Sequence, residues 1–353
     1  MGLLVANLIW CIIIALLLSS CNLSYNRRCK LYSIFAFGGV LILRTFVDSQ
    51  SLPDLGTYLD IWEFSTNLSW QQVLKGEALV ISEYGFLIIN KLCTSVSNNS
   101  QLLFFSISII WIYSYNTFFK RYSPYYAVSV LLLLVTEFPQ SLFVLRQHLA
   151  IAIWLFSYPY VINRDFKRFC MVGLLAFSMH MTSVLFFSVY FLYGIFNKKR
   201  IILVTLGMCI ACVVLFGSLE SINNRLGLSY GNYIVGDKSG FSNLTDFAMR
   251  IIYLGSYIFF LRDRVMESGI NRLLTVILIF STVLALFGTT FSLTGRLVRY
   301  FTPAIMIMIP IVMKNIRNKG LRYIYFIGIL ALNSISIFAG SMSEWIKNFR
   351  LSF

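Results

Sequence analysis

Apolar runs of 14 to 21 residues, separated by short polar stretches, recur along almost the whole chain. A helix needs about 20 mostly apolar residues to cross a bilayer. The pattern predicts spans at Leu3–Cys21, Leu31–Val47, Gln101–Phe119, Tyr125–Ser141 and Leu145–Ile162. It predicts further spans at Ile201–Leu219, Phe247–Leu261, Leu273–Leu293, Tyr300–Met313 and Tyr323–Met342. The run Phe169–Phe196 is 28 residues long with His180 near its middle. It reads as two short crossings meeting at His180 or as a re-entrant pair, and counts here as two. Ser82–Val96 is also apolar, but the Glu83 and Lys91 within it argue against a crossing.

Composition agrees with a chain dissolved in lipid. Of 353 residues, 58% are hydrophobic and 12% charged, and a soluble domain carries about twice that charged share. The formal net charge of +15 raises the question of nucleic acid, and its distribution answers it. Arg27/Arg28/Lys30, Lys120/Arg121, Arg164/Lys167/Arg168, Lys198/Lys199/Arg200, Arg262/Arg264/Arg272 and Lys314/Arg317/Lys319/Arg322 fall at alternate ends of the spans. With those loops in the cytoplasm, the alternation closes at about 12 crossings, both termini outside, provided Ser82–Val96 does not cross. The inner side then holds 18 basic and three acidic residues, and the outer side 11 of each. The whole net charge is the positive-inside signal, which leaves no nucleic-acid patch.

The N-terminus, with Leu18-Ser19-Ser20-Cys21, resembles a lipoprotein cleavage box. No Lys or Arg precedes the apolar run, however, and Arg27, Arg28 and Lys30 follow it, the charge order of a helix inserted with its N-terminus outside. The seven cysteines form no disulfide framework, since Cys11, Cys170, Cys209 and Cys212 lie inside apolar runs. Cys209 and Cys212 have a C-x-x-C spacing without the second pair or the His that a metal site needs.

Two outer loops are long, about 48–82 and 220–246, and around them polar residues crowd the outer ends of helices. They are Arg44, Glu83, Glu137, Arg146, Gln147, His180, Arg250, Arg296 and Arg299. An ionisable group at membrane depth is costly, so it faces a partner or a cavity and marks function. Arg44 and Arg250 can also snorkel to the interface. Arg146 stands between apolar runs after the helix break at Pro139. Glu137 offers it an ion-pair partner. His180 is the only histidine in its stretch and has no Asp, Glu, Lys or Arg beside it there; imidazole exchanges protons near neutral pH, as a general base must. His148 points to another helical face and reads as structural. Arg296 and Arg299, one turn apart, can grip one anion, and guanidinium forks match phosphate oxygens. The loop after Arg44 mixes Asp54, Tyr58, Asp60, Trp62, Glu63, Phe64 and Trp70. Carboxylates accept from sugar hydroxyls and flat rings cover sugar faces, although interfacial aromatics also anchor membrane proteins. No phosphate-binding Gly loop, zinc-protease helix or Ser elbow occurs.

The spaced motifs resemble the EpsG/Wzy-like family of bacterial polysaccharide polymerases. They are Arg44 closing the second span; Asp54-Leu-Gly-Thr-Tyr58; Glu83-Tyr-Gly85; Arg146-Gln147-His-Leu-Ala150; the basic turn Arg164–Arg168 followed by His180; and Arg296 with Arg299-Tyr300-Phe301. Many members place a Gly-Asp link soon after the first Arg; here a longer stretch with Asp48 and Pro53 separates Arg44 from Asp54. The resemblance implies an all-α, GT-C-like polytopic membrane protein of about 10–12 transmembrane helices, one integral membrane domain over 1–353. It implies a polymerase in the bacterial cytoplasmic membrane, its active site facing outward. Undecaprenyl-diphosphate-linked oligosaccharides would be both donor and acceptor, and a flippase and a chain-length regulator the partners. A sugar hydroxyl attacks an anomeric carbon and polyprenyl diphosphate leaves. Arg146, Arg296 and Arg299 would hold the diphosphate, with Arg44 and Arg225 as weaker candidates. His180 or Asp54 would be the base, and Glu83 would hold sugar or orient an Arg. Tyr58, Gln147 and Tyr300 are the sugar-binding candidates, and neither metal nor cofactor is called for.

Two other functions fit many spans with charged outer ends. An O-antigen ligase, or a glycosyltransferase using a polyprenyl-phosphate sugar, keeps the chemistry and changes the acceptor or donor. A flippase for lipid-linked sugars would place its charges near the midplane on two related halves. Here the charges lie at helix ends and no internal repeat is visible.

Overall fold

The computed structural model describes residues 2–76, 83–197, 199–200, 202–211, 214, 240–288, 292–338 and 347–352. The described chain is helical, with one isolated antiparallel bridge between Val47 and Leu351. Five stretches are long and apolar enough to cross a membrane: Gly2–Ser20, Gln101–Tyr122, Leu244–Met266, Gly269–Gly288 and Thr294–Asn315. Shorter apolar helices lie at Tyr126–Thr136, Met181–Ile195 and Ile202–Ala211. Large apolar side chains such as Leu16, Leu17, Ile202 and Leu203 stand exposed, as a lipid-facing surface requires. The chain is a polytopic all-helical membrane protein.

The chain divides into two compact units. The first comprises residues 1–157, 170–184 and 324–353. It contains α1 (Gly2–Ser20), α2 (Tyr25–Thr45), α3 (Leu55–Asn67), α4 (Trp70–Lys75), α5 (Tyr84–Thr94) and α6 (Gln101–Tyr122). After these come α7 (Tyr126–Thr136), α8 (Phe138–Ser141) and α9 (Leu145–Trp154). Helix α6 is the hub: α2, α5, α7 and α9 all pack on it. The described part of the long polar loop after α2 is itself largely helical, as α3 and α4. Ser69 and Gln72 close a reciprocal capping box at the start of α4, which satisfies two otherwise orphaned N–H groups. Helix α5 has 11 residues, which at 1.5 Å each spans about 17 Å, too short for a crossing. That agrees with the charges inside it. Main-chain bonds from Asp48 to Arg350 (3.0 Å) and from Ser352 to Phe46 (2.8 Å) tie the C-terminal residues to the end of α2.

Between Pro139 and Arg146 the chain cannot run as one helix. Helix α7 stops at Thr136, Pro139 lies in the first turn of α8, and a new helix begins at Leu145. Proline lacks the N–H that a continuous helix needs and fits only its first turn. The apolar run 169–196 breaks in the same manner. Helix α11 (Phe166–Met179) ends beside His180, a 3-10 turn follows over Met181–Phe186, and α12 occupies Phe187–Ile195.

The second unit comprises residues 158–169 and 185–323. Its helices include α10 (Tyr158–Ile162), α12, α13 (Ile202–Ala211), α14 (Gly240–Leu261), α15 (Gly269–Gly288), α16 (Ser292–Val298) and α17 (Thr302–Asn315). α18 (Lys319–Phe338), whose residues 324–338 belong to the first unit, closes the chain order of helices. Phe186, Phe280 and Phe301 pack together at the heart of this unit, the first and third stacked at 5.7 Å. Basic residues near the turns cap helix ends: Arg272, in the first turn of α15, donates to the Tyr193 carbonyl at 2.7 Å while lying 4.6 Å above its ring. Arg164 treats Tyr190 alike, with its guanidinium 3.9 Å from the ring centre.

Candidate functional site

Three helix ends of the first unit bring Glu83, Arg146 and His180 together from 63 and 97 residues apart. Glu83 occupies the N-cap of α5 but makes no cap hydrogen bond with its side chain. The carboxylate instead turns to other elements. Its Oε2 accepts from Arg146 Nη1 at 2.5 Å, and its Oε1 meets His180 Nδ1 at 2.8 Å. Arg146 sits in the first turn of α9, where a cation opposes the helix dipole. Pairing with Glu83 offsets that local cost. His180 follows the last residue of α11, so the break in the apolar run is what frees its ring from a helical face.

All three side chains are between a fifth and a third exposed, so the cluster is neither sealed nor solvated. Burial alone would push the Glu83 carboxyl up. The hydrogen bond from His180 and the charge of Arg146 outweigh it and hold the group down at about 2. An ionised carboxylate only accepts, so Nδ1 of His180 carries the hydrogen. The other ring nitrogen, Nε2, makes no hydrogen bond to a described residue. Such a carboxylate–imidazole pair fixes the tautomer and aims the basic nitrogen outward. Arg146 donates to Glu83 and also hydrogen-bonds Tyr58; of the five N–H donors a guanidinium carries, others are left for an anion.

Tyr58 completes the cluster. The Arg146 guanidinium carbon stands 5.8 Å from its ring centre, and the ring packs on Phe86 of α5 at 5.6 Å. Asp54 lies one turn earlier, exposed at the N-cap of α3 with a left-handed backbone (φ 61°), a conformation Asp tolerates better than most residues. Gln147, next to Arg146, is buried in the unit's core.

Other predicted residues lie elsewhere. Arg44 is buried within α2; it donates to Ser108 Oγ at 3.2 Å and to the Ser141 carbonyl at 2.7 Å, also contacts the Ser141 hydroxyl, and covers the Trp111 ring at 4.6 Å. Arg44 thus ties α2, α6 and α8 together. Glu137 does not pair with Arg146: Glu83 takes that place, and Glu137 meets the buried His148 at 3.3 Å.

In the second unit Arg296 is exposed on α16 and Arg299 is half-buried on the 3-10 turn that follows. Tyr300 is buried among core residues. Arg250, also buried, reaches Asp246 and Thr302 at 3.4 Å each, beside the start of α17. Arg225 and Cys212 lie outside the described residues, as do parts of both long loops. Among the described residues no three His, Cys, Asp or Glu side chains group as metal ligands would.

The fold is that of a polytopic membrane protein, and a carboxylate–imidazole–guanidinium cluster lies at the ends of three of its helices. Residues 30–348 match the model of the EpsG family, and the chain belongs to that family of Wzy-like polysaccharide polymerases. No curated protein and no solved structure matches the chain.

Proposed function

We propose that this chain joins polyprenyl-diphosphate-linked oligosaccharide repeat units into a surface polysaccharide at the outer face of a bacterial cytoplasmic membrane. The observation that carries the proposal is the Glu83–His180 contact with Arg146 on the opposite oxygen of the same carboxylate. Nε2 of His180 takes the proton of an acceptor sugar hydroxyl. That oxygen forms the new bond to the anomeric carbon of the donor chain. The bond from the anomeric carbon to the diphosphate oxygen breaks, and its electron pair leaves with polyprenyl diphosphate. Arg146 stabilises the charge that develops there, as preorganised donors do in other group transfers.

Glu83 is then the pivot of the site: it orients the base with one oxygen and the anion-binding group with the other. Tyr58 and the exposed Asp54 border the same cluster and suit the sugar hydroxyls. Arg296 and Arg299 belong to the second unit and remain candidates for the diphosphate on their chemistry alone.

The test is a gel of surface polysaccharide from cells with and without the gene. Loss of the gene collapses the ladder to a single-repeat band if units are made, flipped and attached but not joined. An unchanged ladder contradicts the proposal, and loss of all surface polysaccharide points to flipping, ligation or unit assembly instead.

A further inference from the structure

Directly beneath the polar cluster the first unit holds a cavity of about 540 Å³. Its lining follows the three site residues down their own helices. From Glu83 it continues to Ile88 and Ile89; from Arg146 to Leu149 and Ile153; from His180 back to Val172. The wall is otherwise aliphatic, aromatic or thioether, with Ser178 and the Tyr84 hydroxyl its only polar side-chain groups. Every offset leads away from the cluster. Val172 is eight residues from His180, so at 1.5 Å per helical residue the groove runs about 12 Å. A space of this size with apolar walls and charge at one end fits an amphiphile, not a sugar.

We infer that this groove seats the first isoprene units of the polyprenyl tail of the lipid-linked substrate, with the diphosphate head at Arg146. This rests on the function proposed above and names the substrate's tail site. Continuity decides the occupant. The groove begins where the charged cluster ends, so one molecule with an anionic head and a branched, unsaturated tail spans both. Gly85 lies at the junction: a Cβ there would meet Met179 Cε at 2.7 Å and collide with the Ser178 hydroxyl. The absent side chain lets α5 and α11 close tightly around the groove's mouth.

The test uses the full-length protein in detergent with a sugar-free polyprenyl diphosphate bearing a diazirine near its head-proximal isoprene units. Photolabelling is expected on peptides containing Ile89 or Ile153 and is displaced by unlabelled polyprenyl diphosphate. Filling the groove with Ile153→Trp, or with Val172→Trp at its far end, lowers labelling about tenfold, the factor that about 1.4 kcal/mol of lost binding gives. Gel filtration of each variant shows whether it remains folded, and two positions guard against one that does not. Labelling that phosphatidylglycerol displaces equally well overturns the inference, because the groove then takes any membrane lipid. Labelling unchanged in both folded variants overturns it as well. Labelling needs no polymer synthesis, so failure here is separable from failure of the polymerase reading, which the polysaccharide ladder reports.

Discussion

The carboxylate of Glu83 meets Nδ1 of His180 at 2.8 Å although 97 residues separate them in the chain. The second oxygen of that carboxylate holds Arg146 at 2.5 Å. One acid thus couples a proton acceptor to an anion binder, and removing it disturbs both.

Glu83→Gln keeps the shape and removes the charge. The amide can donate to Nδ1 and favour the wrong tautomer, and it no longer neutralises Arg146. Polymer formation by the purified protein should fall at least about a hundredfold, the scale of lost general-base catalysis. Membrane insertion should be unaffected. Chain growth within a few-fold of wild type would remove Glu83 from the mechanism.

Acid should act on the same bond. Glu83 has its folded-state value lowered from the ordinary 4.5 to about 2. A lowered carboxylate contributes stability above its unfolded value, and that contribution is lost as pH falls through the folded one. The stability that the ionised Glu83 gives wild type over Glu83→Gln, read as a difference in melting temperature, should therefore be fully present above about pH 5. It should shrink as pH falls from 4.5 towards 2. A gap that narrows instead between pH 8 and 6 would mean another group controls it.

Arg146→Lys retains a positive charge and loses the planar fork. Lysine is a compact point charge and cannot hold Glu83 and a phosphate with the same geometry. Polymerisation should drop by about two orders of magnitude, with the protein still inserted. Full activity in this variant would show that any cation serves.

Arg44 should behave differently, because it binds Ser108, Ser141 and Trp111 inside the unit. Arg44→Met leaves those buried groups unpaired and should cost about 2–4 kcal/mol of stability, read as a lower melting temperature. Donor affinity of the surviving folded fraction should stay near wild type. Donor affinity lost at unchanged melting temperature would return Arg44 to the diphosphate site.

Much of the fold was legible in the sequence. Apolar runs and alternating basic clusters foretold an all-helical membrane protein, and the Glu83 and Lys91 charges argued against a crossing at Ser82–Val96, where α5 has only 11 residues. The 28-residue length of the run 169–196, with His180 near its middle, announced the helix break found there. The pairing was harder to read. Glu137 is much nearer Arg146 in sequence than Glu83 is, yet the break at Pro139 turns Glu137 towards His148. Proximity along the chain says little once a helix is interrupted. Arg44 was also opaque, since snorkelling and burial look alike until Ser108, Ser141 and Trp111 are seen around it. The groove left no sequence signal of its own: Ile153 and Val172 read as ordinary span residues and Ile89 as part of an apolar stretch that does not cross, and only the packing of three helices makes them one wall.

The most direct measurement follows chain length on a gel after purified protein is given lipid-linked repeat units, comparing wild type with His180→Ala. Wild type should yield a ladder without any membrane compartment. His180→Ala, folded and inserted, should leave the units single. A ladder from His180→Ala equal to that of wild type would contradict the role given to the Glu83–His180 pair, and no ladder from wild type would contradict polymerase function itself.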